Sequence, residues 1–314
     1  MTAGVARPSS AGAIEASLEH RFRIDNGANA RLTMAPLWQG RSDPQMRFFD
    51  DSVVRAFWTT LGPASVEIRI SGRDVVTRAW GPGADAALAL APGLVGSLDD
   101  ATALVPHHAL VAELARTNPG LRLTRSGSVI DALVVSILGQ KVTGEEARRS
   151  YRELLIRHGE PAPGPLGLRL PPPPEKLAHL PYWAFHPLGV ERRRADTIRA
   201  AAAVAPQLER IRGLARDEGR RRLLSLSGVG EWTAAETMRL ALGDADAVSV
   251  GDYHLPHLVC WALAGEPRGS DERMLELLEP YRGQRARVAL LLEQGGLHQP
   301  RRAPRMPLRS IAAI

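Results

Sequence analysis

Over roughly the first third of the chain, apolar and polar side chains alternate with a period of two. Residues 21–24, 31–34, 65–70 and 75–80 follow this pattern, separated by Gly, Pro and Asp, and predict short strands. Residues 51–61 predict a short helix among them, and 84–90 a second helix stopped by Ala91, Pro92 and Gly93. Beyond about residue 105 the period changes to that of a helix. Val129, Leu133 and Ile137, then Ala147, Tyr151 and Leu154, suit two helices or one bent helix interrupted near Gly139 and Gly144. Residues 159–174 are rich in Pro and Gly and predict a connecting loop. Further helices are expected at 192–204, 217–226, 232–242, 253–264, 271–278 and 283–293.

This pattern predicts an α+β protein in which a strand-rich α+β domain at 18–104 precedes an all-α domain at 105–295. Residues 1–17 and 296–314 read as tails, the first disordered and the second irregular. No run of apolar residues approaches the roughly 20 that a membrane span requires. The first dozen residues lack the apolar middle of a secretory signal, so no membrane partner and a cytoplasmic location are expected.

Composition narrows the chemistry. Cys260 is the only cysteine, which excludes an internal disulfide framework and any four-thiolate metal site. No metal and no other cofactor are expected. The 314 residues carry a formal charge of +6, and the isoelectric point is about 10.2, which suits a polyanionic partner without proving one. Only Lys141 and Lys176 are lysines, so arginine supplies nearly all the positive charge.

Two segments carry candidate chemistry. The first, 223–238 (LLSLSGVGEWTAAETM), sets Gly228, Val229 and Gly230 between two helices. Glycine permits positive φ and leaves the backbone bare, so the amides opening the second helix can hold a phosphate, although a plain packed turn would use the same residues. The second, 248–256 (VSVGDYHLP), places Asp252 at a helix start, where capping is its ordinary role.

Together, a Gly-Val-Gly hairpin, Trp232 two residues beyond it and Asp252 twenty residues later resemble the signature of the helix-hairpin-helix DNA glycosylases. ALVVSILGQKV at 132–142, HPLGVERRRA at 186–195 and PYRGQRAR at 280–287 extend the resemblance over about 105–295. The preceding domain, with APL at 35–37 and WGPG at 80–83, is similar to that of the AlkA-type 3-methyladenine DNA glycosylases.

The resemblance implies a monomeric enzyme that flips a damaged base, expected to be an alkylated purine, from double-stranded DNA and hydrolyses its glycosidic bond, initiating base excision repair. Asp252 becomes the catalytic carboxylate. Trp232, Glu236, Tyr253 and Gln140 are implied around the base. Lys141, Gly228, Val229, Gly230 and Thr233 are implied on the DNA. In bifunctional relatives the position of Trp232 holds a lysine, so no lyase step is implied. Lys141 stands where the family more often has an apolar wedge, Glu236 where AlkA-type enzymes have a pocket tyrosine, and an aliphatic residue near Leu290 replaces a pocket tryptophan. Arginines at 192–194, 220–222 and 282–287 are candidates for phosphate contact or for ordinary solvated faces. Two other functions stay open: a catalytically silent helix-hairpin-helix DNA-binding protein, and a glycosylase for another modified base.

Overall fold

A computed structural model describes residues 17–24, 28–295 and 297. Apart from Ser17 and Leu297, the two expected tails lie outside the described residues.

Five antiparallel strands form one sheet in the order β1-β5-β4-β3-β2: β1 Ser17–Arg23, β2 Met46–Phe48, β3 Ser52–Thr59, β4 Gly62–Ser71 and β5 Asp74–Trp80. Two expectations fail here. The expected helix at 51–61 is instead the strand β3, Ser52–Thr59. β3 is buried on both faces, with Val53 and Phe57 in the main core and Val54 and Ala56 under Leu168 and Leu170, so its alternation is erased. Its β-branched and aromatic content was the better guide. Conversely, 31–34 is no strand but part of the single-turn helix Ala30–Met34, because the Asn29 side chain accepts the Leu32 N–H at 3.1 Å and caps it.

Helix α1, Ala84–Leu94, runs through Pro92 and Gly93, since burial of Ala91 and Leu94 carries it past the expected stop. The Pro/Gly-rich connection folds back as a small hairpin, pairing Glu160–Pro161 with Arg169–Leu170. The remaining long helices are α2 Ala109–Thr117, α3 Val129–Leu138, α4 Gly144–His158, α5 Arg192–Ala203, α6 Arg216–Leu224, α7 Glu231–Leu242, α8 Leu255–Ala264, α9 Asp271–Leu278 and α10 Arg285–Gln294. The expected break between α3 and α4 is present, and a reciprocal cap between Thr143 and Glu146 starts the second of them.

The helices divide between two cores. Leu133, Ile137, Leu154, Ile198 and Met238, from α3, α4, α5 and α7, join Phe57, Val66 and Ile68 of the sheet in one apolar cluster. Tyr151 adds a polar tie by donating its hydroxyl to Gln45 Oε1 at 2.6 Å. Val111, Leu255, Val259, Met274, Leu278 and Leu290, from α2, α8, α9 and α10, form the second cluster. The segment from Gly243 to His254 passes from one cluster to the other. Among the described residues, no helix is long and apolar enough to cross a membrane.

Candidate active site

The hairpin between α6 and α7 is built from two glycines with different duties. Gly228 has φ +86°, and a Cβ there would fall 2.1 Å from Thr197 Oγ1 of α5, so this glycine lets the turn seat against its neighbour. Gly230 has φ −103° with open space where a Cβ would stand. It begins α7, and no side chain caps that end. The first amides of α7 therefore present an uncovered, positively polarised surface. Val229 between the glycines is buried, 7% exposed, and pins the turn to the core.

From the other side the hairpin is held by Gln140. Its Nε2 donates to the Gly228 carbonyl at 3.0 Å and to Thr233 Oγ1 at 2.8 Å. Both amide hydrogens are spent on the scaffold. Thr233 is likewise turned inward, 2% exposed, so its side chain stabilises the turn and is not available to a partner. The next residue after Gln140, Lys141, is exposed and has φ +55°, the one left-handed non-glycine among the described residues. Such a conformation costs about 1–2 kcal/mol, and it aims a long cationic side chain outward beside the hairpin.

Asp252 lies across from α7 and divides its two oxygens between structure and site. Oδ1 accepts the backbone N–H groups of His254 at 2.7 Å and Leu255 at 2.8 Å, which fixes the start of α8. Oδ2 accepts Nε1–H of Trp232 at 3.1 Å. Capping and site chemistry are therefore compatible readings of this residue. The Trp232 ring, half-buried, also reaches the end of α3, packing closely on Gly139: a Cβ there would sit 3.1 Å from Trp232 Cη2. One indole thus spans the hairpin, the end of α3 and the carboxylate.

Glu236, one turn along α7 from Trp232, is engaged. Its carboxylate pairs with Arg239 at 2.5 Å and accepts the hydroxyl of Ser249. Burial alone would depress the Arg239 guanidinium, but Glu236, Glu293 and Asp252 together lift it above its ordinary range. Tyr253 is 78% exposed, edge-on to His254 and His257, and stands at the rim of the site. His257 Nδ1 accepts the Gly269 N–H at 3.1 Å, a local tie within the second half. Leu290 is core, 4% exposed.

Most of the arginines singled out as phosphate contacts are committed internally. Arg194 is buried and donates to the Leu138 carbonyl at 2.8 Å, closing the end of α3, while Arg192 lies over the Tyr182 ring. Arg220 pairs with Glu231, and Arg221 and Arg222 both pair with Glu218. Arg282, Arg285 and Arg287 pair with Glu279, Asp246 and Asp99. Arg193 is exposed, and with Lys141 is the better remaining candidate on that side.

Known structures share this architecture. A 3-methyladenine DNA glycosylase from Archaeoglobus fulgidus matches with a TM-score of 0.73 and 19% identity, over 88% of this chain and 99% of its own. The chain has the helix-hairpin-helix glycosylase fold. An 8-oxoguanine glycosylase/lyase from Clostridium acetobutylicum matches with a TM-score of 0.60 and 15% identity, over 80% of this chain and 99% of its own. The 3-methyladenine DNA glycosylase of Schizosaccharomyces pombe, solved with abasic DNA, matches with a TM-score of 0.53 and 16% identity, over 64% and 98%. No family model matches the sequence, and no curated protein matches it either.

Within this glycosylase fold the site includes two residues that sequence patterns did not single out: Arg239 and Ser249, both bonded to Glu236. Arg239 was detectable as the cation three residues after Glu236 on one helix.

Proposed function

We propose that this protein is a monofunctional DNA glycosylase that flips a damaged base, an alkylated purine, out of duplex DNA and hydrolyses its glycosidic bond with Asp252 as the essential carboxylate. One observation carries this reading: Asp252, held by three N–H donors, is tied through the Trp232 indole to a helix whose first amides have no side-chain cap.

The chemistry follows from the bond to be broken. As the base leaves, positive charge grows on the deoxyribose, and a carboxylate already fixed in place stabilises that charge without reorganising. The Trp232 hydrogen bond and the two backbone donors restrict the rotation of Asp252, so its charge stays aimed at one point. The amides of α7 take the DNA backbone without reading sequence, which suits an enzyme whose target is a lesion. Trp232 offers an aromatic face to an extruded base, and an electron-poor alkylated purine gains most from it. Two of the similar structures are named as 3-methyladenine glycosylases, which supports that substrate class. Trp232 also occupies the position after the hairpin that would need an amine for Schiff-base chemistry.

The test is single-turnover base release from duplexes carrying 7-methylguanine, 3-methyladenine, 1,N6-ethenoadenine or hypoxanthine, at fixed salt. Wild type releases at least one of these bases, Asp252→Asn slows release by roughly 10²- to 10⁴-fold while still shifting DNA on a gel, and borohydride traps no covalent complex. DNA binding with no release from any lesion would make the protein a silent binder. Release unaffected by Asp252→Asn would remove Asp252 from the chemistry.

A further inference from the structure

Trp232, Glu236 and Arg239 follow one another at helical spacing as half-buried positions of α7, while Ala234, Met238 and Ala241 enter the first core. This stripe is bonded to the turn that carries Asp252. Ser249, Val250, Gly251 and Asp252 make that turn: the Asp252 N–H donates to the Ser249 carbonyl at 3.2 Å, and Gly251, third in order, has φ +89°. Val248 and Val250 root it in the second core. Its two ends are held by different residues of the stripe. Asp252 Oδ2 accepts the Trp232 indole N–H at 3.1 Å, and Ser249, 6% exposed, donates its hydroxyl to Glu236 Oε1. The spacings match. Trp232 and Glu236 are about 6 Å apart along the helix axis, and the ends of a four-residue turn lie within about 7 Å of each other.

Taking the glycosylase reading as its basis, we propose that Glu236 is a positioning residue for Asp252, acting through the Ser249 hydroxyl, and makes no contact with the damaged base. A single bond from Trp232 fixes the distance of Asp252 from α7 but leaves the turn free to pivot. The second bond, one helical turn further on, fixes its direction as well. From the other side the Gly251 N–H donates to both carboxylate oxygens of Asp271, at the start of α9, at 3.1 Å. The turn is thus braced against two helices.

Arg239 completes the brace. Its Nη2 donates to Glu236 Oε2 at 2.5 Å and its Nε to Oε1 at 3.4 Å, which fixes the plane of the carboxylate and leaves Oε1 aligned with Ser249. The Glu236 and Arg239 side chains are only 17% and 16% exposed, so water competes weakly for a bond that already gains from the charge of its acceptor. A carboxylate committed to a hydroxyl and a guanidinium serves the scaffold. The consequence falls on the chemical step. Asp252 stabilises charge on the sugar only where it is already aimed, and a misplacement of about 1 Å costs up to about 100-fold in rate.

The experiment is single-turnover base release at fixed salt from the duplexes carrying 7-methylguanine, 3-methyladenine, 1,N6-ethenoadenine or hypoxanthine, reading the maximum rate and the enzyme concentration that gives half of it. Ser249→Ala removes the brace by one oxygen atom and leaves Glu236 paired with Arg239. Glu236→Leu combined with Arg239→Leu removes the acceptor together with its cation, so neither variant strands a charge. Each lowers the maximum rate by roughly 10- to 100-fold, keeps the half-saturating concentration within about threefold, and leaves the order of preference among the four lesions unchanged. In an Asp252→Asn background Ser249→Ala changes the rate by less than about twofold, because no charge remains to be aimed. An undiminished rate in Ser249→Ala, or a loss as large with Asp252→Asn as without it, overturns the assignment. A changed lesion preference or a raised half-saturating concentration in the paired leucine variant overturns it too, by making Glu236 a contact to the base. A wild type that releases none of the four bases overturns the glycosylase reading itself, and the assignment falls with it.

Discussion

The two walls of the candidate site are made differently. The wall formed by α3, the hairpin and α7 rests on the sheet and is assembled through backbone groups: Gly228 against Thr197, Gln140 on the Gly228 carbonyl, Arg194 on the Leu138 carbonyl. The wall formed by the start of α8 rests on its own core and contributes the Asp252 carboxylate, held by the backbone N–H groups of His254 and Leu255. Backbone donors suit a partner that is the same everywhere along a duplex. Side chains at defined points suit a reaction on one nucleotide. The difference implies that gripping and cutting are separable by mutation, and Trp232, which crosses from one wall to the Asp252 carboxylate, is the residue that joins them.

The largest effect is expected at the hairpin. Gly228→Ala forces a methyl group onto Thr197 Oγ1 at a positive φ and lowers stability by roughly 3 kcal/mol, read as a shifted urea midpoint with DNA affinity lost in parallel. Gly230→Ala, with open space around the new methyl group, stays within about 0.5 kcal/mol of wild type yet weakens DNA binding by covering the α7 amides. Equal stability losses at the two positions would erase the distinction between a packing glycine and an exposed one.

A smaller effect is expected at Lys141. Replacing it with glycine relieves the left-handed backbone and raises stability by about 1 kcal/mol, while the slope of log affinity against log salt falls in magnitude by about 1 as one phosphate contact is lost. A gain in stability with unchanged binding would assign the strained turn to the connection between α3 and α4 alone.

How far these walls could be read in the sequence follows the same division. The hairpin, Asp252 and Trp232 are local patterns, glycines and an aspartate at fixed offsets, and the fold sets them together as that spacing implied. The helical half was legible because its amphipathic period is long and repeated. β3 was not, because burial on both faces removes alternation, and 31–34 was not, because a single Asn29 cap outweighed a four-residue pattern. The arginine clusters left two readings open for a physical reason: charge on its own does not reveal a neighbour's carboxylate, and Glu218, Asp246 and Asp99 pair with Arg221, Arg222, Arg285 and Arg287. Ser249 is joined to Glu236 of α7 only by the tertiary fold, and no local motif could have shown that pairing.

The central claim is that the Asp252 carboxylate answers a positive charge on the sugar of a flipped nucleotide. It is tested most directly by affinity for a duplex bearing a cationic pyrrolidine in place of one deoxyribose, compared with an undamaged duplex of the same sequence. The account predicts that wild type prefers the pyrrolidine duplex by roughly 100-fold or more, and that Asp252→Asn loses most of that preference while binding undamaged DNA as before. An Asp252→Asn protein that keeps the full preference would contradict it.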